Sequence, residues 1–385
     1  MIHHAALWTD VCQLVKKLSE RQLDSAEILK ALLYLLEHAG SHSATEDALM
    51  SRWHRLSPKA LNLVAARPVE TPELKVPVPP RPSELTLCAS DGSQVFPDRN
   101  LNLDFFLLNL SRIAFHIGTN EPPLLESTTE LYDDEFTAAF DLDLGDRNIT
   151  FATPEIIAAL RGQRELETLF DLALQEKKSG RPCLALADGT LICWHLKNLR
   201  EPMQSLLRRR YLSILSKFRE AKIPVASYVS YPGSKEVRAT LGLVLQAELK
   251  EHALPLERLT DHQIFCAYLN TGERSALFAS MSEAMNDYDS GDKIYFFYLR
   301  LPHEIARIEL PAWVASEIDF LHAAIFDDAT KGGGYPMTLT EAHEQAAVGH
   351  GDQQSIYQLI ERIGMREGFP VTYSAKALSK RTAKI

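Results

Sequence analysis

Apolar side chains recur at helical spacing at Leu7, Val11, Leu14, Val15 and Leu18, and again at Ile28, Leu32, Leu35 and Leu36, between the cap-like "DSAE" and Gly40. Residues three and four apart share one helix face, so the pattern predicts two amphipathic helices at the start of the chain. The stretch "RPVETPELKVPVPPRPS", Arg67 to Ser83, interrupts it with six prolines. Proline fixes φ and has no N–H to donate, which forbids regular helix and favours an extended connection. The predicted organisation is a helical segment over 1–66, a proline-rich connection over 67–83 and a main domain over 84–385.

In the main domain the period changes. "ELTLCAS" reads as a strand ending at Asp91, whereas "LNLDFFLLNLSRIAFHIG" is so continuously apolar that periodicity does not separate strand from helix. "EIIAALRGQRELETLFDLALQEKKSG" predicts a helix with Leu166, Leu169, Phe170 and Ala173 on one side and Gly180 beyond its end. "RPCLALADGTLICWHL" reads as strand, Asp-Gly, strand. A helix carrying Met203, Leu207, Tyr211, Ile214, Leu215 and Phe218 follows, then the strand "IPVASYVS". "KIYFFYLRL" and "IARIEL" predict a pair of strands, and "TEAHEQAAV" and "SIYQLIERIGM" closing helices. This alternation predicts an α/β domain with a mixed sheet flanked by helices.

With 385 residues and 45% hydrophobic content the chain has ample material for a core. Its five cysteines show no CxxC or zinc-ribbon spacing, which predicts neither a disulfide framework nor a zinc site and places the protein in the reducing cytoplasm. No basic n-region precedes an apolar block and no apolar run reaches bilayer length, so no export and no membrane association are expected. The net charge of −10 opposes wholesale wrapping of nucleic acid. It suits a chain that keeps carboxylates for divalent metals, because the metals supply the positive charge that phosphate meets. No GxxxxGK[ST] occurs, so any ATP-driven motor is expected on a partner.

Two Asp-Gly steps, at Asp91 and Asp188, each close a predicted strand. Asp91 alone reads as the polar half of a turn. If the two strands lie side by side, however, the carboxylates meet and could hold two divalent ions about 3.5–4 Å apart, the clamp used for in-line displacement at phosphorus. Oxygen ligands favour magnesium or manganese over zinc.

"DGSQVFPD", "RELETLF" ahead of "LALADGTL", "VASYVS", "TGERSALF" and "GGGYPMTLTEAH" occur in that order. Together, from about Leu85 onward, they resemble the motifs of the NurA nuclease family. The resemblance implies an RNase H-like fold, manganese-dependent cleavage of DNA (magnesium being an alternative) and a homodimer. It also implies a HerA-type hexameric ATPase as partner, with 5′–3′ exonuclease or single-strand endonuclease action at DNA ends in double-strand break repair. Carried over by residue, it makes Asp91 and Asp188 metal-binding aspartates, His343 a ligand or proton relay and Tyr335 a phosphate- or base-facing group. The helical glutamate of the family falls on Glu167, with Glu165 as the alternative. The competing reading is a catalytically inactive scaffold that guides DNA or regulates the ATPase. Candidate DNA contacts are Arg208 and Arg209 in the basic helix, Lys380 and Arg381 in the tail, and Arg274, which could grip a phosphate with two parallel hydrogen bonds or pair within the fold.

Overall fold

A computed structural model describes residues 26–37, 65–98, 101–133, 135–136, 153–249, 259–369 and 371–372, without the side chains of 243–249. The helix predicted over Leu7 to Leu18, and Lys380 and Arg381, lie outside the described residues. The chain divides into two compact units, Met1–Pro80 with Tyr228–Thr330, and Arg81–Ser227 with Lys331–Ile385. The first opens with α1 (26–37), β1 (Ala66–Pro68) and β2 (Lys75–Val76). The second takes over with β3 (Leu85–Ala89), β4 (Gly92–Val95), β5 (Phe106–Ile117), β6 (Leu124–Tyr132), α2 (Pro154–Glu176), β7 (Cys183–Asp188) and α3 (Met203–Ala221). After β8 (Val225–Val229) the chain returns to the first unit for α4 (Glu236–Leu249), α5 (Asp261–Tyr268), β9 (Arg274–Ser275), β10 (Phe278–Ser280), β11 (Ile294–Arg300), β12 (Ile305–Pro311) and α6 (Ile318–Lys331). It closes in the second with α7 (Met337–Ala346) and α8 (His350–Arg366).

The first unit's N-terminal part ends at Pro80, and Tyr228–Thr330 groups with it. The proline-rich stretch supplies the reason: it holds β1 and β2, which pair antiparallel with β10 and β9. β1 is an edge strand, where the missing N–H of Pro68 costs little. In this unit β1, β10, β11 and β12 form an antiparallel run. Leu32 and Leu36 of α1 pack into its core with Phe265, Phe278, Phe296 and Tyr298.

In the second unit β5 pairs with β3 and β4 on one side and with β6 on the other, all antiparallel. β7 lies parallel to β3, and β8 lies beside β7. The order β6-β5-β3/β4-β7-β8, with α2 carrying the chain from the antiparallel strands to the parallel one, is a mixed sheet of RNase H-like type. Ser93 bonds the last turn of α7 and its neighbour Gln94 bonds Arg161 of α2. Successive strand residues point to opposite faces, so the two helices cover opposite sides of the sheet. Covered on both faces, β5 is buried along most of its length, which explains its continuous apolar run. One predicted strand is absent: after Asp188 the chain leaves the sheet at Gly189 (φ 80°), and buried Leu191, Ile192 and Cys193 lead into a 3₁₀ helix, Trp194–Asn198, of which Leu196 is buried and His195 exposed.

Candidate active site

Asp91 occupies neither a hairpin turn nor a strand end. Ala89 is level with Ile113 of β5, and Gly92 is level with Leu110, so β3 and β4 are one strand interrupted at Ser90 and Asp91 without a change of register. Hydroxyls complete the ladder there. Ser111 N donates to Asp91 O (2.8 Å), Asp91 N donates to Ser111 Oγ (2.9 Å), and Ser90 Oγ donates to Ser111 O (2.7 Å). The Gly92 N–H donates to Asp91 Oδ1 at 2.7 Å and fixes the carboxylate. On the parallel neighbour, Ala89 is level with Leu186, and two residues further along the same register sets Asp91 beside Asp188.

α2 brings the third carboxylate. Its N-terminus is capped by Thr153, which accepts from Ile156 N, and Pro154 fits the first turn. Glu165 stands over Gly92 so closely that a Cβ there would lie 2.8 Å from Glu165 Oε1. Burial pushes the Glu165 carboxyl up to about 7, and the charges of Asp91 and Asp188 add to the effect against the pull of Arg161. Arg161 Nε lies 3.0 Å from Glu165 Oε1, yet both atoms are buried without a hydrogen bond. Burial also raises Asp188; Asp91 adds to the rise, while the Tyr335 hydroxyl, the Gly189 N–H and His343 oppose it.

The C-terminal elements reach the same carboxylates from the other face. Tyr335 OH donates to Asp188 Oδ1 at 3.0 Å. It is set by the "GGGYP" turn, in which Gly333 and Gly334 adopt positive φ and a Cβ on Gly332 would lie 2.0 Å from Tyr335 O. α7 is anchored by Ser93 Oγ and Asn109 Nδ2, which donate to Ala346 O at 2.5 and 2.9 Å. It presents His343, whose Nδ1 lies 2.9 Å from Asp91 Oδ2 while 78% of the side chain remains exposed.

The NurA domain model matches residues 85–348, more than half of the chain. The chain belongs to the NurA domain family. It is accordingly a nuclease of the NurA type. The crystal structure of the NurA nuclease from Sulfolobus solfataricus is similar at 12% identity and a TM-score of 0.47, over 87% of this chain and 96% of that one. LC9-RNase H1, a type 1 RNase H with the type 2 active-site motif, is similar at 10% identity and a TM-score of 0.22, over 46% of this chain and 82% of that one. No curated protein matches the chain.

Within this NurA domain, Glu165 and not Glu167 stands with the aspartates. Two residues along a helix are about 200° apart, so only one of the pair can face the sheet. Glu167 turns instead to Arg164 (2.7 Å), Arg210 of α3 (3.0 Å) and Gln163 (3.3 Å). Burial works against its charge, but the Arg164 hydrogen bond and the Arg210 charge prevail and hold it below the usual carboxylate range. Arg274 is not a phosphate grip: it is buried in the other unit, and its fork is taken by Glu70 at 2.7 and 3.2 Å. Arg208 is half-buried and Arg209 exposed on α3. Sequence reasoning missed Arg161, Ser111 and the closeness at Gly92; the Arg161/Glu165 spacing of four residues was the available signal.

Among the described residues no group of three or more His, Cys, Asp or Glu side chains is arranged to hold a metal ion as it stands. The donor chemistry nonetheless fits a hard cation. Three carboxylates converge, and burial first, with the charge of Asp91 adding to it, raises the pKa values of Glu165 and Asp188. No helix among the described residues is long and apolar enough to cross a membrane.

Proposed function

We propose that this chain is a divalent-metal-dependent deoxyribonuclease that processes DNA ends, with Asp91, Asp188 and Glu165 as its metal-holding carboxylates. The observation that carries this reading is the meeting of those three groups, Asp91 and Asp188 level on neighbouring strands and Glu165 over Gly92. Two manganese or magnesium ions would supply the charge that polarises a phosphodiester and acidifies the attacking water. Tyr335 orients Asp188 through its hydroxyl and, at the surface of the site, can turn toward a phosphate. His343 is steered by Asp91 at Nδ1, which leaves Nε2 to hold or hand over a proton at the exposed side of the site. Exposed Arg209 is a candidate contact for the DNA backbone, and Lys380 and Arg381 of the tail are further candidates by residue type alone. The same reading makes the protein a cytoplasmic homodimer working with a HerA-type hexameric ATPase in double-strand break repair; the family and the lack of a P-loop motif in the chain support a separate motor.

The test is cleavage of end-labelled single- and double-stranded DNA with manganese, magnesium or chelator, comparing the native chain with Asp91→Ala. Manganese-dependent cutting that the substitution abolishes is expected. Unchanged cutting in the variant would remove Asp91 from the mechanism, and no cutting by either protein with the ATPase added would favour the scaffold.

A further inference from the structure

The cavity beside the site is lined by four carboxylates, Asp91, Glu155, Glu165 and Asp188, and among its described residues by a single Lys or Arg, Arg161. Arg161 stands one turn before Glu165 on α2, with Nε 3.0 Å from Glu165 Oε1. That contact is an ion pair without a hydrogen bond. The hydrogen bond goes elsewhere: Arg161 Nη1 donates to Gln94 Oε1 of β4 at 2.8 Å. An arginine four residues ahead of its acid is also the weaker of the two orders on a helix, because it runs against the macrodipole. Arg161 therefore stands among the carboxylates as a charge, held by a neutral neighbour.

Burial raises the Glu165 carboxyl, and the Arg161 charge is the largest influence opposing the rise, while Asp91 and Asp188 add to it. Burial and then the Arg161 charge also lower His195, so the guanidinium acts across the cavity and not on Glu165 alone. A divalent ion at the carboxylates would do the same neutralising work with twice the charge and would repel the guanidinium from close range. Nothing locks Arg161 in place against that repulsion. Its side chain is 33% exposed, and its hydrogen bond to Gln94 does not depend on Glu165.

We infer that Arg161 is the built-in counter-charge of the metal-free site, so that manganese loads in competition with the protein's own guanidinium. The inference rests on the metal-holding reading above and adds what keeps the carboxylates together before metal arrives. The test is calorimetric titration of manganese into the full chain, freed of metal by chelator, for native, Arg161→Lys and Arg161→Gln. Arg161→Gln should bind manganese about tenfold more tightly than native, the repulsion being discounted for a partly exposed side chain. Arg161→Lys keeps the charge and should stay within about twofold of native. Without metal, Arg161→Gln should melt below Arg161→Lys, and saturating manganese should remove the difference. Weaker or unchanged binding in Arg161→Gln would overturn the inference, because a residue that positions a metal ligand lowers affinity when it is removed. Should Arg161→Gln be too unstable to titrate, Gln94→Ala decides. With Nη1 released toward the carboxylates, manganese binding falls several-fold if Arg161 competes, and binding at or above the native level would overturn the inference. A native chain that takes up no manganese would instead defeat the metal reading, and equal melting of Arg161→Gln and Arg161→Lys without metal would then overturn the counter-charge as well.

Discussion

Glu165 carries the largest electrostatic strain at the site, and the strain has a measurable sign. A carboxyl raised from its ordinary 4.5 to about 7 in the fold contributes stability that is fully present below the unfolded value and is lost as pH rises through the folded one. Glu165→Gln removes that loss, so it should be more thermostable than the parent above pH 7, with the gap closing toward pH 4.5. A melting series across that window checks it, and an equal gap at all pH values would contradict the assignment. Manganese should close the gap from the other side, raising the parent's melting temperature at pH 8 while leaving Glu165→Gln unmoved. The choice between the two glutamates shows what was readable. Residue type and helix were legible in "RELET", but only the sheet beneath α2 decides which side faces the aspartates. Arg161, Glu165, Leu169 and Leu172 share one stripe at helical spacing, and that was the cue in the sequence.

At the scale of elements, the site depends on a strand that pauses without turning. The Asp-Gly at 91 and 92 has the chemistry of a hairpin, and its local sequence gave no sign that β4 resumes the register of β3. Ser111, twenty residues away, substitutes its hydroxyl for the missing ladder partner, and no local pattern announces that. Asp188 was easier to place, because it ends β7 and the glycine of its Asp-Gly step, Gly189, leaves the sheet at positive φ. Gly92 has a second duty besides its N–H to Asp91. A methyl there meets Glu165 Oε1 at 2.8 Å, Arg161 Cγ at 3.0 Å and Leu110 Cδ2 at 3.0 Å. Gly92→Ala should therefore push α2's side chains off the aspartates and weaken manganese affinity by about 10–100-fold, the range seen when a metal ligand loses its positioning partner. Calorimetric titration of manganese is the readout; unaltered affinity would mean that Glu165 does not approach the metal over Gly92.

At the scale of the whole molecule, the alternation of strands and helices was legible and the division into units was not. Proline-rich sequence normally marks a linker, and here the same restriction to extended backbone makes edge strands that recruit β9 and β10 from two hundred residues downstream. Long-range pairing of this kind leaves no local trace. Of the ordered motifs from Leu85 onward, those in β3/β4, α2, β7 and α7 with the turn before it supply one site from distant parts of the chain. The most direct test is manganese-dependent cleavage of end-labelled DNA by Glu165→Gln and Glu167→Gln side by side. Loss on the order of a hundredfold or more in Glu165→Gln, with cutting retained in Glu167→Gln, is the predicted result. Retained cutting in Glu165→Gln with loss in Glu167→Gln would contradict the site described here.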